Sequence, residues 1–151
     1  MDPRYQSDFY SWAMAQSELA QARTSNDLDW DHVAEELRLL GVSEERELVS
    51  RLRVLIAHLL NWTYQHERVS KSWRITSTNQ REELLDRIKI NPGLKSKLPV
   101  LWAKAFAFAR RDAAIETDLD LNTFPLEPPF TYEQAIDEAW VPNADKPAQS
   151  R

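Results

Sequence analysis

The chain has 151 residues, 42% hydrophobic and 28% charged, and carries a formal net charge of −5 with an isoelectric point near 5.2. It contains two glycines, Gly41 and Gly93, and no cysteine. These values exclude disulfides, thiolate metal sites and cysteine nucleophiles, leave too few turn glycines for a β-rich fold, and argue against broad duplex binding, which requires a strongly basic face.

A chain of this size is expected to form one domain, here residues 1–142, with Asn143–Arg151 as a disordered tail. No apolar run reaches the ~18 residues of a membrane span, and MDPRYQSDFY lacks a signal-peptide core. The expectation is a soluble cytoplasmic protein with no membrane partner.

Ser7 or Asp8 is placed to cap a first helix reaching about Arg23, with Phe9, Trp12, Ala13, Leu19 and Ala20 as its apolar residues. Thr24–Leu28 reads as a polar loop. Asp29 caps a second helix that is expected to stop before Gly41, with Trp30, Val33, Ala34, Leu37 and Leu40 facing inward. A third helix is expected from Ser43 to about Glu67 as the antiparallel neighbour of the second. Its Leu48, Leu52, Leu55, Leu59 and Trp62 fall in one stripe, and Glu44, Glu45 and Glu47 favour its N-terminal dipole. Residues Gln65–Arg74 form a basic turn.

The fourth helix, about Lys71 to Lys89, has Trp73, Leu84, Leu85 and Ile88 as anchors and two threonines near its start, so it is expected to be the most weakly packed. Asn91-Pro92-Gly93 breaks the chain, with Pro92 at a first helical position and Pro99 at a restart. The fifth helix carries Leu98, Leu101, Trp102, Ala105, Phe108, Ala109 and Ile115. After an extended proline-rich crossing, Thr131 and Gln134 make a capping box for a short helix, Tyr132 to Ala139, and Trp140 anchors the tail beyond it. The fold class is therefore all-α: a mostly antiparallel bundle of about five main helices plus a short C-terminal one.

Charge is unevenly distributed. Residues 1–42 hold three basic and eight acidic side chains, residues 43–111 fourteen and seven, and residues 112–151 two and nine. Either the basic middle offers a surface to an anion, or the acidic ends fold over it and neutralise it. Arg68, Ser70, Lys71, Ser72 and Arg74 gather cations and hydroxyls around a helix N-terminus, a pattern suited to phosphate or to an acidic partner. Tyr64 and Trp73 would supply a flat wall. The competing reading is a capped turn whose arginines are ion-paired.

His58 lies at the edge of the apolar stripe and is a candidate general base or metal ligand, set against a hydrogen-bonded structural role. His32 and Glu36, one turn apart, could hold a metal or could be a solvent-facing pair. Asp112, near the middle of the fifth helix's stripe, needs an arginine partner such as Arg51 or Arg74; with Glu116 it is also a candidate catalytic acid. No phosphate loop, zinc-protease motif or nucleophile elbow is present, and no cofactor is implied.

The order of DWDHVAEELRLLG (Asp29–Gly41), SRLRVLIAHLLNW (Ser50–Trp62), SKSWR (Ser70–Arg74), the Asn91-Pro92 break and the late EQAID run resembles the domain-of-unknown-function 29 family, small bacterial helical proteins numerous in cyanobacteria. The similarity covers roughly Tyr5 to Trp140. It implies an all-helical fold and brings no activity, cofactor or catalytic residue. One departure is Thr117-Asp118-Leu119, where the family often has Thr-Gly-Leu, and it bears on a helix end. The favoured reading is a binding or interaction module that uses the basic turn for an acidic partner or phosphate-bearing ligand. The alternatives are a small hydrolase or nucleic-acid-processing enzyme built on His58 or Asp112 and Glu116, and a homodimer formed through the fourth helix.

Overall fold

The computed structural model describes residues 1–68 and 70–142; the expected tail, Asn143–Arg151, lies outside them, as does the side chain of Phe9. Among the described residues every regular element is helical. The α-helices are α1 (Arg4–Ser7), α2 (Phe9–Gln21), α3 (Trp30–Tyr64), α4 (Lys71–Ile90), α5 (Leu98–Thr117) and α6 (Tyr132–Ile136), joined in part by short 3-10 turns. No described helix is long and apolar enough to cross a membrane. The chain forms two compact units, Met1–Glu44 and Glu45–Arg151, with the boundary inside α3.

The largest correction concerns Gly41. The expected second and third helices are one 35-residue helix, α3, so Gly41 is no C-terminal glycine and Ser43 no N-cap. A C-capping glycine adopts a left-handed conformation, and Gly41 has no positive φ. A mid-helix glycine costs only about 1 kcal/mol, and no proline follows to enforce a stop. Leu39, Leu40, Glu44 and Glu45 are good helix formers on either side of it. The apolar phase also carries across: Trp30 to Leu48, and Leu37 to Leu55, are each separated by about five whole turns at 3.6 residues per turn.

In Met1–Glu44, the Asp8 carboxylate accepts the Ser11 N–H and caps α2. Helix α2 ends with Arg23 at φ 57°, where the Arg23 and Thr24 N–H groups close back on Ala20 and Leu19. That is a Schellman ending with arginine in the left-handed position. Trp12 is buried, but Trp30, Leu37 and Leu40, expected to face inward, are exposed. The hairpin partner meant to cover them does not form once α3 runs through Gly41.

In Glu45–Arg151, Leu48, Leu52, Leu55, Ile56, Leu59 and Leu60 of α3 are fully buried. Complete burial of such side chains stabilises by roughly 1.5–3 kcal/mol each. Helix α4 lies antiparallel to this stretch, because Glu47 meets Arg87, Arg51 meets Glu83, and His58 meets the Trp73 carbonyl. Helix α5 lies parallel to it, as the contacts of Arg53 with Asp112, Asn61 with Glu116 and Gln65 with the Thr117 carbonyl follow in order. Ala105, Ala109 and Ala113 are fully buried on one ridge of α5.

Phe106 is buried, whereas Phe108 is part-exposed and Ile115 exposed, so the buried stripe of α5 is rotated from the expected one. Leu85 of α4 is likewise exposed; the buried residues there are Ser77, Arg81, Leu84 and Ile88. The Thr131–Gln134 capping box forms as expected, but α6 ends at Ile136 rather than Ala139.

Helix α5 ends on Asp118, which sits left-handed at φ 56°. Glycine adopts that conformation without the Cβ penalty, which accounts for a Thr-Gly-Leu pattern at this position. Two opposite substitutions test these glycine-sensitive positions. Gly41→Ala, with nothing within 4 Å of an added Cβ, is expected to raise stability by about 0.5–1 kcal/mol. Asp118→Gly is expected to raise it by up to about 1 kcal/mol by relieving the left-handed penalty. Urea midpoints check both; a destabilised Gly41→Ala protein would mean that α3 breaks at that residue.

Candidate functional site

The basic turn is built where α3 ends at Tyr64 and α4 begins at Lys71, with a 3-10 turn over His66–Arg68 between them. Extended Ser70 is the N-cap of α4 and makes no side-chain cap; its hydroxyl is 2.7 Å from that of Ser72. Ser70, Lys71 and Arg74, with Ile75, Thr78 and Asn79, line an open groove of about 730 Å³. Arg68 and Ser72 lie outside its lining, and Arg68 is exposed. Among the described residues, Arg68, Lys71 and Arg74 have no carboxylate partner. Tyr64 and Trp73 do not wall this groove: Tyr64 packs edge-on against Phe124, and Trp73 tilts against His58.

His58 Nε2 donates to the Trp73 carbonyl oxygen at 2.6 Å, which fixes the tautomer. Burial pushes the His58 pKa down, partly offset by that bond and by the charge of Glu116. Asp112 forms a two-pronged pair with Arg53, rather than with Arg51 or Arg74, and the Arg53 guanidinium also lies 5.0 Å from the Phe108 ring centre. Arg51 instead bridges Glu47 and Glu83. Glu116 accepts from Asn61 Nδ2 at 2.7 Å. Thus His58, Asp112 and Glu116 each have a separate partner, and none of them lines the groove at the turn.

His32 and Glu36 are not a solvent-facing pair. Asp29 Oδ2 accepts from the Asp2 N–H at 2.9 Å, Trp12 Nε1 at 3.2 Å and His32 Nδ1 at 2.8 Å. Tyr5 stacks on the His32 ring, centroids 3.8 Å apart, and its hydroxyl donates to Glu36. The bond to Glu36 pushes the Tyr5 hydroxyl pKa up to about 12. The His32 bond, chiefly, holds the Asp29 carboxyl down to about 2. Among the described residues no three histidine, aspartate or glutamate side chains come close enough to hold a metal ion.

Sequence reasoning missed this cluster because Asp2 and Tyr5 reach α3 through α1, which carries no strong helix signal. It also missed Arg81, which is buried and gives Nε to the Ala135 carbonyl at 2.7 Å and Nη2 to the Trp140 carbonyl at 3.0 Å. Its spacing from Ser77, Leu84 and Ile88 on the same face of α4 was the available signal.

The Asp29 cluster predicts a pH dependence. Its folded pKa, about 2, lies below the ordinary 3.8, so the stability it contributes is complete above about pH 4 and is lost as pH falls toward about 2. Asp29→Asn is expected to flatten the urea midpoint across that window. An unchanged slope in the variant would remove Asp29 as the source of the effect.

A protein-family model described as Domain of unknown function DUF29 matches residues 4–141, nearly the whole chain. Neither the curated proteins nor the solved structures provide a match. The chain therefore belongs to the family Domain of unknown function DUF29.

Proposed function

We propose that this protein is a binding module whose basic turn, Arg68–Arg74, takes a phosphate-bearing ligand or an acidic protein partner. The module is proposed to span residues 1–142 and to work in the cytoplasm. The observation that carries the reading is the state of the cations: Arg68, Lys71 and Arg74 are exposed and have no ion pair among the described residues. Glu67 is the one acid between Gln65 and Arg74, so the local surplus is positive.

Physical supports converge on the turn. The first N–H groups of α4 receive no side-chain cap, and a helix N-terminus carries about half a positive charge. Ser70, Thr78 and Asn79 line the same open groove as Lys71 and Arg74, so charged and neutral donors share one groove.

Titration with inorganic phosphate, followed by backbone amide shifts, tests the reading. The Lys71–Arg74 amides are expected to move, and the apparent affinity should fall about tenfold in Arg68→Ala/Arg74→Ala, with strong salt dependence. Equal responses from the wild-type and the double variant would remove the turn from the function. A pull-down with the same pair extends the test to acidic proteins, where indistinguishable partner sets would likewise count against the turn.

A further inference from the structure

The groove at the basic turn takes Lys71, Arg74, Ile75 and Thr78 from α4, and their i, i+3, i+4, i+7 spacing puts them on one face of the helix. The face turned toward the core carries Trp73, Ser77, Arg81, Leu84 and Ile88, of which the last four are buried. The anchoring of that core face is uneven. The first buried apolar side chain of α4 is Leu84, ten residues beyond Arg74 and so ~15 Å further along the axis. Between Lys71 and Thr78 the one buried residue is Ser77, and Trp73 is half-buried. The helix start is not secured by its own backbone either. Ser70 gives no side-chain cap, and the first helical bond, from the Arg74 N–H to the Ser70 carbonyl, is long at 3.3 Å.

What ties this part of α4 to α3 comes from His58. Its Nε2 donates to the Trp73 carbonyl at 2.6 Å, and its ring tilts against the Trp73 ring with centroids 5.1 Å apart. The Ser77 hydroxyl donates to the same carbonyl at 2.8 Å, so the donor from α3 is backed by one from the next turn of α4. Among the described residues, no other side-chain hydrogen bond joins Lys71–Thr78 to another helix; those of Ser72 and Thr76 stay at the helix start. The Trp73 peptide lies directly between Ser72 and Arg74, so holding its carbonyl fixes the backbone from which Lys71 and Arg74 project. His58 stands between buried Ala57 and Leu59 on α3, and a side chain on a packed element is a firm support for a site beside it.

We propose that His58 is a positioning residue for the basic turn: its Nε2–H holds the Trp73 carbonyl and thereby sets Lys71 and Arg74 to meet one phosphate group. The role rests on the anion-binding reading of the turn. His58 does not line the groove, so it acts through the α4 backbone and not by touching the ligand.

Inorganic phosphate is titrated into the full wild-type chain, His58→Phe and His58→Gln, with backbone amide shifts as the readout. Phenylalanine keeps a ring against Trp73 and lacks the donor, whereas the glutamine amide places an N–H at similar reach. His58→Phe should bind phosphate about fivefold more weakly, as one lost hydrogen bond implies, and His58→Gln should bind within about twofold of wild type. Amide exchange at residues 75–78 should quicken in His58→Phe and not in His58→Gln. Wild-type affinity or unchanged exchange in His58→Phe, or equal losses in both variants, overturns the positioning role while leaving phosphate binding at the turn standing. A wild-type protein that shows no response overturns the binding reading and this role with it. Circular dichroism checks the fold, and His58→Leu replaces His58→Phe should that variant not fold.

Discussion

Burial of one leucine ridge governs the Glu45–Arg151 unit. Leu48, Leu52, Leu55, Ile56, Leu59 and Leu60 lose all contact with water because α4 closes over one flank and α5 over the other. Phe124, Phe130 and Ala135 complete the same core from the segment beyond α5. Arg81 ties that segment down: its guanidinium is buried and satisfies two carbonyls, so the cost of burying a charge is offset by hydrogen bonds. The ion pairs at the rim, Arg51 with Glu83 and Lys97 with Glu45, are exposed enough that they fix register more than they add stability.

The same architecture decides the fate of the titratable groups. His58 is directed at a backbone carbonyl, and burial favours its neutral form. Asp112 and Glu116 are committed to Arg53 and Asn61. Each of the three groups thus has its own hydrogen-bond partner. In Met1–Glu44 the Asp29 carboxylate organises its neighbours, drawing the N-terminal Asp2 backbone, the Trp12 indole and the His32 ring to one oxygen.

The alternating blocks of charge are only partly neutralised. Acidic residues near the start pair locally, Asp2 with Arg4 and Glu35 with Arg38. From the last block, Asp112 reaches back to Arg53. The cations of the turn are left without such partners among the described residues, and the acids Asp27 and Asp31 likewise.

Local chemistry was enough to read much of this. Period, caps and breakers identified the helical class, the buried stripe from Leu48 to Leu59, the Asn91-Pro92 restart and the Thr131–Gln134 box, because each depends on residues within a turn or two of one another. The expected stop at Gly41 was wrong because a glycine's modest penalty decides a helix end only when the surroundings permit a left-handed turn. The partner of Asp112, the inward role of Arg81 and the gathering around Asp29 belonged to the tertiary structure. They join residues far apart in the chain, and no local pattern records which helix faces cover one another. Likewise, the sequence could mark Trp30, Leu37 and Leu40 as apolar, but only the packing of α2 and α3 decided that they would stay open to water.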